Sequence, residues 1–142
     1  MADNLREFEN YMRELPDKIK QAVRVSLERV GAVGVSQLSK LFQTEGRSLG
    51  AEWKPVKEGY LKQKIKKGFS EKTLHRTTTL AQSFHSKATE TQVQIGTPVP
   101  YAIYHEYGTK KMPARPFMKP VAQYLQERAI SQIFKKTLSE VL

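Results

Sequence analysis

The stretch SFHSKATETQVQIG, residues 83–96, decides the fold class, because helical spacing gives way there to strict alternation. Val93 and Ile95 alternate with Gln92 and Gln94, the two-residue period of a strand with one buried face. A turn over 88–90 folds strands over 83–87 and 91–95 into a hairpin. Gly96, Pro98 and Pro100 stop the second strand, since proline donates no ladder hydrogen bond and biases its predecessor away from helix. Strands that arrive as a hairpin, rather than alternating with crossover helices, predict an antiparallel sheet.

Before the hairpin, residues 80–83 read as a turn of helix. Further back, Leu5, Phe8, Met12, Leu15, Ile19, Val23, Leu27, Val30, Leu38 and Leu41 fall mostly three or four apart, which predicts helix with one apolar face. Pro16 fits a first helical turn but not an interior. The expectation is therefore a short leading helix and a longer one starting near Pro16, with Asp17 in its first turn; one kinked helix is the alternative. Gly31 and Gly34 each cost about 1 kcal/mol relative to alanine inside a helix. Either another part of the chain approaches closely there, or the pair is simply tolerated. The apolar face packs a core or pairs with a partner helix.

After the hairpin, residues 101–107 predict a short helix, with Gly108 at the place of a left-handed C-cap. The prolines of MPARPFM, residues 112–118, predict an extended edge strand. Pro120 opens a closing amphipathic helix through Val121, Leu125, Ala129, Ile133 and Phe134 toward Leu138 and Val141. The sum is an α+β domain: a small, mostly antiparallel sheet packed with a long N-terminal helix and a C-terminal helix. The 142 residues fit one domain, helical over 1–42, a basic loop or arm over 43–79, hairpin, short helix and strand over 80–117, and the last helix over 118–142.

The formal charge of +10 favours acidic partners, either nucleic acid or acidic protein surfaces. Much of it lies in Lys54, Lys57, Lys62, Lys64, Lys66, Lys67, Lys72 and Arg76, facing only Glu58 and Glu71 within that run. A segment this long and basic is either an arm that orders on a partner or a solvated lysine face. Trp53, Tyr60, Leu61, Ile65 and Phe69 argue against a pure linker, and residues 58–67 predict a short helix. Basic residues interleaved with aromatic rings also fit a nucleic-acid-binding module, without any sequence-specific DNA- or RNA-reading motif.

Catalytic chemistry finds no support. Without cysteine there is no disulfide, thiolate metal site or cysteine nucleophile. His105 and Glu106 start the HExxH zinc pattern, but Thr109 stands where the second histidine belongs. His75, His85 and His105 have no metal-ligand spacing, and the glycines match neither a phosphate loop nor a nucleophile elbow. The expectation is no enzyme, no cofactor, no metal and no small-molecule substrate. No apolar run approaches the roughly 20 residues that span a bilayer, so no membrane association is expected, and synthesis is expected in the cytoplasm.

Taken in order, WKPV from Trp53, LHRTTTLAQSF over 74–84, the strand ending in Gly96, YAIYHEYGT over 101–109 and MPARPFM resemble the tailed-phage virion morphogenesis family. Its members are also described as tail-completion, head-tail joining or minor tail proteins. The resemblance rests on Trp53, Leu80, Gly96, Tyr101, Ala102, His105, Glu106, Tyr107, Gly108, Pro113, Ala114, Arg115, Pro116 and Phe117. The family often has glycine before its leucine, where this chain has Thr79. The resemblance implies a non-enzymatic subunit that forms a ring, expected to be a hexamer, at the neck or upper tail of the virion. It implies head-connector and tail-tube proteins as neighbours, nonspecific contact with DNA in the lumen, and assembly in the bacterial host cytoplasm. Tyr101, His105 and Tyr107 are expected to pack the short helix. Arg115 is expected to hold a neighbouring loop with its fork of N–H groups, within the subunit or across a ring interface.

Overall fold

The computed structural model describes residues 2–51, 53, 79–110 and 113–142. The run from Lys54 to Arg76, the helix expected over 58–67 and the three rings Tyr60, Phe69 and His75 lie outside the described residues.

Helix α1 (Ala2–Gln43) is one continuous element with Pro16 inside it, which corrects the expected break. A proline removes the hydrogen bond to the carbonyl four residues earlier. Here that carbonyl belongs to Met12, and both residues are exposed, so water can take the bond instead. After Gln43 the N–H of Glu45 donates to Phe42 O (3.3 Å) and that of Gly46 to Leu41 O (2.9 Å), which uses up carbonyls the helix end leaves open. A single 3-10 turn (Arg47–Leu49) follows.

Helix α2 (Thr79–Gln82) leads into β1 (His85–Ala88) and β2 (Val93–Gly96), a two-stranded antiparallel sheet with His85 opposite Gly96 and Ala88 opposite Val93. The turn sits one residue later than the alternation alone places it. Thr89 holds it, its N–H donating to Gln92 O at 2.8 Å and its hydroxyl accepting from Gln92 N at 3.2 Å. Helix α3 (Ala102–Tyr107) comes next, then α4 (Met118–Tyr124), a π-helical turn (Leu125–Ala129) and α5 (Ile130–Val141). The architecture is a small α+β fold.

The hairpin lies across α1 at the two glycines. A Cβ on Gly31 would sit 2.7 Å from Ser86 Oγ and 3.0 Å from Val93 Cγ2, and one on Gly34 would overlap Ile95 Cδ1. Close approach is therefore what the pair is for. The core gathers Leu38, Leu41 and Phe42 of α1 with Trp53, Leu80, Phe84, Phe117, Val121 and Leu125. Phe42 is its hub, with ring centroids 5.3 Å from Trp53 and 5.6 Å from both Phe84 and Phe117.

Val121, Leu125, Ala129, Ile133, Thr137 and Val141 repeat every four residues, whereas an ideal helix turns in 3.6, so the repeat would drift about 40° per step. The wider π-helical turn inserts extra length per turn and brings the row back onto α1. On the far side of that turn Arg29 Nη1 reaches Thr137 Oγ1 at 2.9 Å and Glu140 at 2.8 Å.

Candidate functional site

The residues that stand out in sequence between 101 and 117 do converge, and what they build is a clamp at the Phe42 end of α1. A helix start leaves N–H groups without internal partners. At α4 the carboxylate of Glu106 takes them: Oε2 accepts from Phe117 N at 2.7 Å and Met118 N at 3.0 Å, and Oε1 accepts from Lys119 N at 3.1 Å. The next residue is Pro120, which has no N–H, and Val121 N already reaches Phe117 O at 3.4 Å. Glu106 thus caps a helix 12 residues away in sequence, with its negative charge at the positive end of the helix dipole. The helix opens at Met118, so Pro120 is its third residue.

His105 sits beside this cap. Its carbonyl accepts the N–H of Arg115 at 2.7 Å, and its ring stands edge-on to Tyr101 at 5.8 Å. Burial first, and then the Arg115 guanidinium, hold the imidazole below its ordinary value of 6.5. Its Nδ1 is buried with no hydrogen-bond partner among the described residues. Arg115 itself is buried within the subunit, 7% exposed. Pro113 to Pro116 form no strand, which corrects the expected edge strand. Two of those four residues are prolines that cannot donate to a ladder, and the Arg115 N–H is spent on His105.

Trp53 closes the clamp from the other side. Its Nε1–H donates to Pro116 O at 2.6 Å, and its ring lies where a Cβ on Gly46 would intrude at 2.9 Å. Gly46 has φ 89°, a conformation that itself favours glycine. Phe117 is buried against Phe42 and Phe84, and Leu80 and Ala102 are buried beside them. Gly108 has φ 77° but ψ 173°, so it ends α3 outside the left-handed helical region expected of it.

Two expected positions are more open than the reading of α3 had them, although Tyr101 keeps its edge contact with His105. Tyr107 is 78% exposed and Tyr101 39%, so of the three rings assigned to α3 only His105 is substantially covered. Pro113 and Ala114 are exposed, and a Cβ on Gly96 would meet open space. The role of Glu106 as a cap was not legible beforehand, because no spacing rule links a carboxylate to a helix so far along the chain. Among the described residues no cluster of three or more His, Cys, Asp or Glu is placed to hold a metal ion. No helix is long and apolar enough to cross a membrane among them either.

A clamp of this kind positions backbone. Among known proteins, the model of the phage virion morphogenesis family matches residues 3–139. The chain belongs to the phage virion morphogenesis family. That match extends well upstream of Trp53, so it takes in α1 as well as the clamp. This family is a structural one, and membership gives the chain a part in building a phage virion. A relative is the uncharacterized protein MJ0331 of Methanocaldococcus jannaschii, 26% identical over 139 residues that cover 92% of this chain and 98% of the other. No solved structure matches.

Proposed function

We propose that this virion morphogenesis protein is a non-enzymatic subunit of a ring at the neck or upper tail of a tailed phage or prophage, completing the tail and joining it to the head. The observation that carries the reading is the family match from residue 3 to residue 139. The site agrees with it, since Glu106, Arg115 and Trp53 all serve to lock one stretch of backbone in place. Neighbours in this reading are further copies, expected as a hexamer, with head-connector and tail-tube proteins on either side. A head-to-tail ring needs two different surfaces per subunit rather than one two-fold patch. The +10 charge supports a contact of the segment from Lys54 to Arg76 with DNA passing through the lumen.

Deleting the gene and imaging the lysate tests the reading. Heads and tails should accumulate unjoined, and normal joined virions would overturn it. A basic nucleic-acid-binding module is the competing reading, resting on the same charge. Duplex binding that falls steeply with salt, together with normal virions in the deletion, would favour that module instead.

A further inference from the structure

Helix α3 turns three large apolar side chains outward: Ile103 is 58% exposed, Tyr104 56% and Tyr107 78%. At about 100° per residue the three share one side of the helix. Its other side is spent on the clamp, through the buried Ala102, the His105 carbonyl and the Glu106 carboxylate. Three such side chains together form a contiguous apolar patch, which is the mark of a contact surface rather than of scattered exposure.

Residues 54–78, outside the described part of the chain, leave and return beside that face. At their start, Trp53 Nε1 donates to Pro116 O at 2.6 Å, and the Arg115 N–H next to it donates to His105 O at 2.7 Å. Bond lengths then put Trp53 within roughly 12 Å of the α3 backbone. At their end, Leu80 and Phe84 are buried, and the Phe84 ring stands 5.5 Å from Phe117, whose N–H the Glu106 carboxylate of α3 accepts. Both ends of the segment are therefore pinned next to α3.

Length decides which exposed apolar face the segment can meet. A chain that must return to where it began extends at most half its length, about 40 Å for residues 54–78 at about 3.3 Å each. The helix predicted over 58–67 shortens that reach, since it advances only about 1.5 Å per residue. Leu5, Phe8 and Met12 are exposed on α1 but lie roughly 45–55 Å along it from Phe42. The α3 face is within reach and theirs is not. The segment also carries a matching row, for Leu61, Ile65 and Phe69 fall four apart, a spacing that a helix places on one side.

We infer that Leu61, Ile65 and Phe69 of this chain's own segment 54–78 dock on Ile103, Tyr104 and Tyr107. In a helix Lys64, Lys66 and Lys67 lie about 100° or more around from Ile65, so docking turns them away from α3 and toward an acidic partner such as a DNA backbone. The contact lies within one subunit and holds whether or not subunits form a ring.

Because the chain has no cysteine, paired cysteines test the contact cleanly. Full-length chains carry Tyr104→Cys together with Leu61→Cys, Ile65→Cys or Phe69→Cys in turn, and a reference chain pairs Tyr104→Cys with Lys67→Cys. All are oxidised at low concentration and separated without reductant, with circular dichroism confirming the fold. At least one of the three apolar positions should close within its own chain roughly tenfold faster than position 67, because docking raises its effective concentration. Equal rates at all four positions would mean an undocked segment and overturn the inference. Linked dimers in excess over internal closure would also overturn it, in favour of a segment given to a second copy. A second measurement needs no cysteine: trypsin should cut after Lys62 to Lys67 roughly tenfold faster in Tyr104→Ser than in the unaltered chain, as the docked state opens more often. An unchanged cleavage rate in the folded variant would overturn the inference as well.

Discussion

The two halves of α1 carry the same pattern and meet different fates. From Ala22 onward its apolar face is covered by the hairpin, the π-helical turn and α5, and Ala22, Leu38, Leu41 and Phe42 are fully buried. Before Ala22 the same face lies open, with Leu5 and Phe8 more than half exposed. An amphipathic period states that a face is to be covered, and leaves unstated by which molecule. In this chain α5 runs back along α1 as far as the ion pair between Glu140 and Arg29.

The largest expected effect sharpens that contrast. Phe42→Ala removes the ring shared by Trp53, Phe84 and Phe117 and should cost about 3–5 kcal/mol in urea denaturation. A loss below about 1 kcal/mol would mean that the covered half is not the centre of the core. Next comes Glu106→Ala, which leaves three N–H groups at the start of α4 without their acceptor and should cost about 2 kcal/mol. Amide exchange should speed up first at Phe117, Met118 and Lys119, and uniform acceleration along the chain would contradict a local cap.

A smaller effect is expected from pH. His105 is lowered in the folded chain, so between its folded value and 6.5 the unfolded chain binds more protons. Its contribution is therefore complete above 6.5 and is lost as pH falls below it. The urea midpoint should drop between about pH 7 and about pH 5, and His105→Gln should flatten that drop. An unchanged slope in the variant would assign the pH dependence elsewhere. The smallest effect belongs to the open half: Phe8→Ser should change stability by no more than about 0.5 kcal/mol. If it cost as much as Phe42→Ala, the two halves of α1 would not differ as described.

Much of the fold was legible because its signals are local. Alternation at Val93 and Ile95 located β2, and Gly108 and the flanking prolines bounded α3 and the segment after it. Gly31 and Gly34 left a close approach and a merely tolerated pair equally open, and only the packed hairpin shows that Ser86 and Ile95 make the approach. Pro16 misled because the cost of proline depends on whether water reaches the carbonyl it leaves unpaired. The π-helical turn was present in the four-residue row from Val121 to Val141, a period slightly too long for an α-helix. Within the site, the burial of Phe117 and Trp53 followed from their apolar rings, whereas the exposure of Tyr107 depended on which way α3 faces.

By itself the sequence determined the α+β class, the hairpin and the helical character of both ends, and the membership in a virion-building family, since propensity, period and motif order are properties of neighbouring residues. Only the tertiary structure decided that Glu106 caps α4, that Arg115 is buried beside His105, and that the stripe of α1 is covered after Ala22 and bare before it. Those outcomes depend on distances between residues far apart along the chain, which no local pattern encodes.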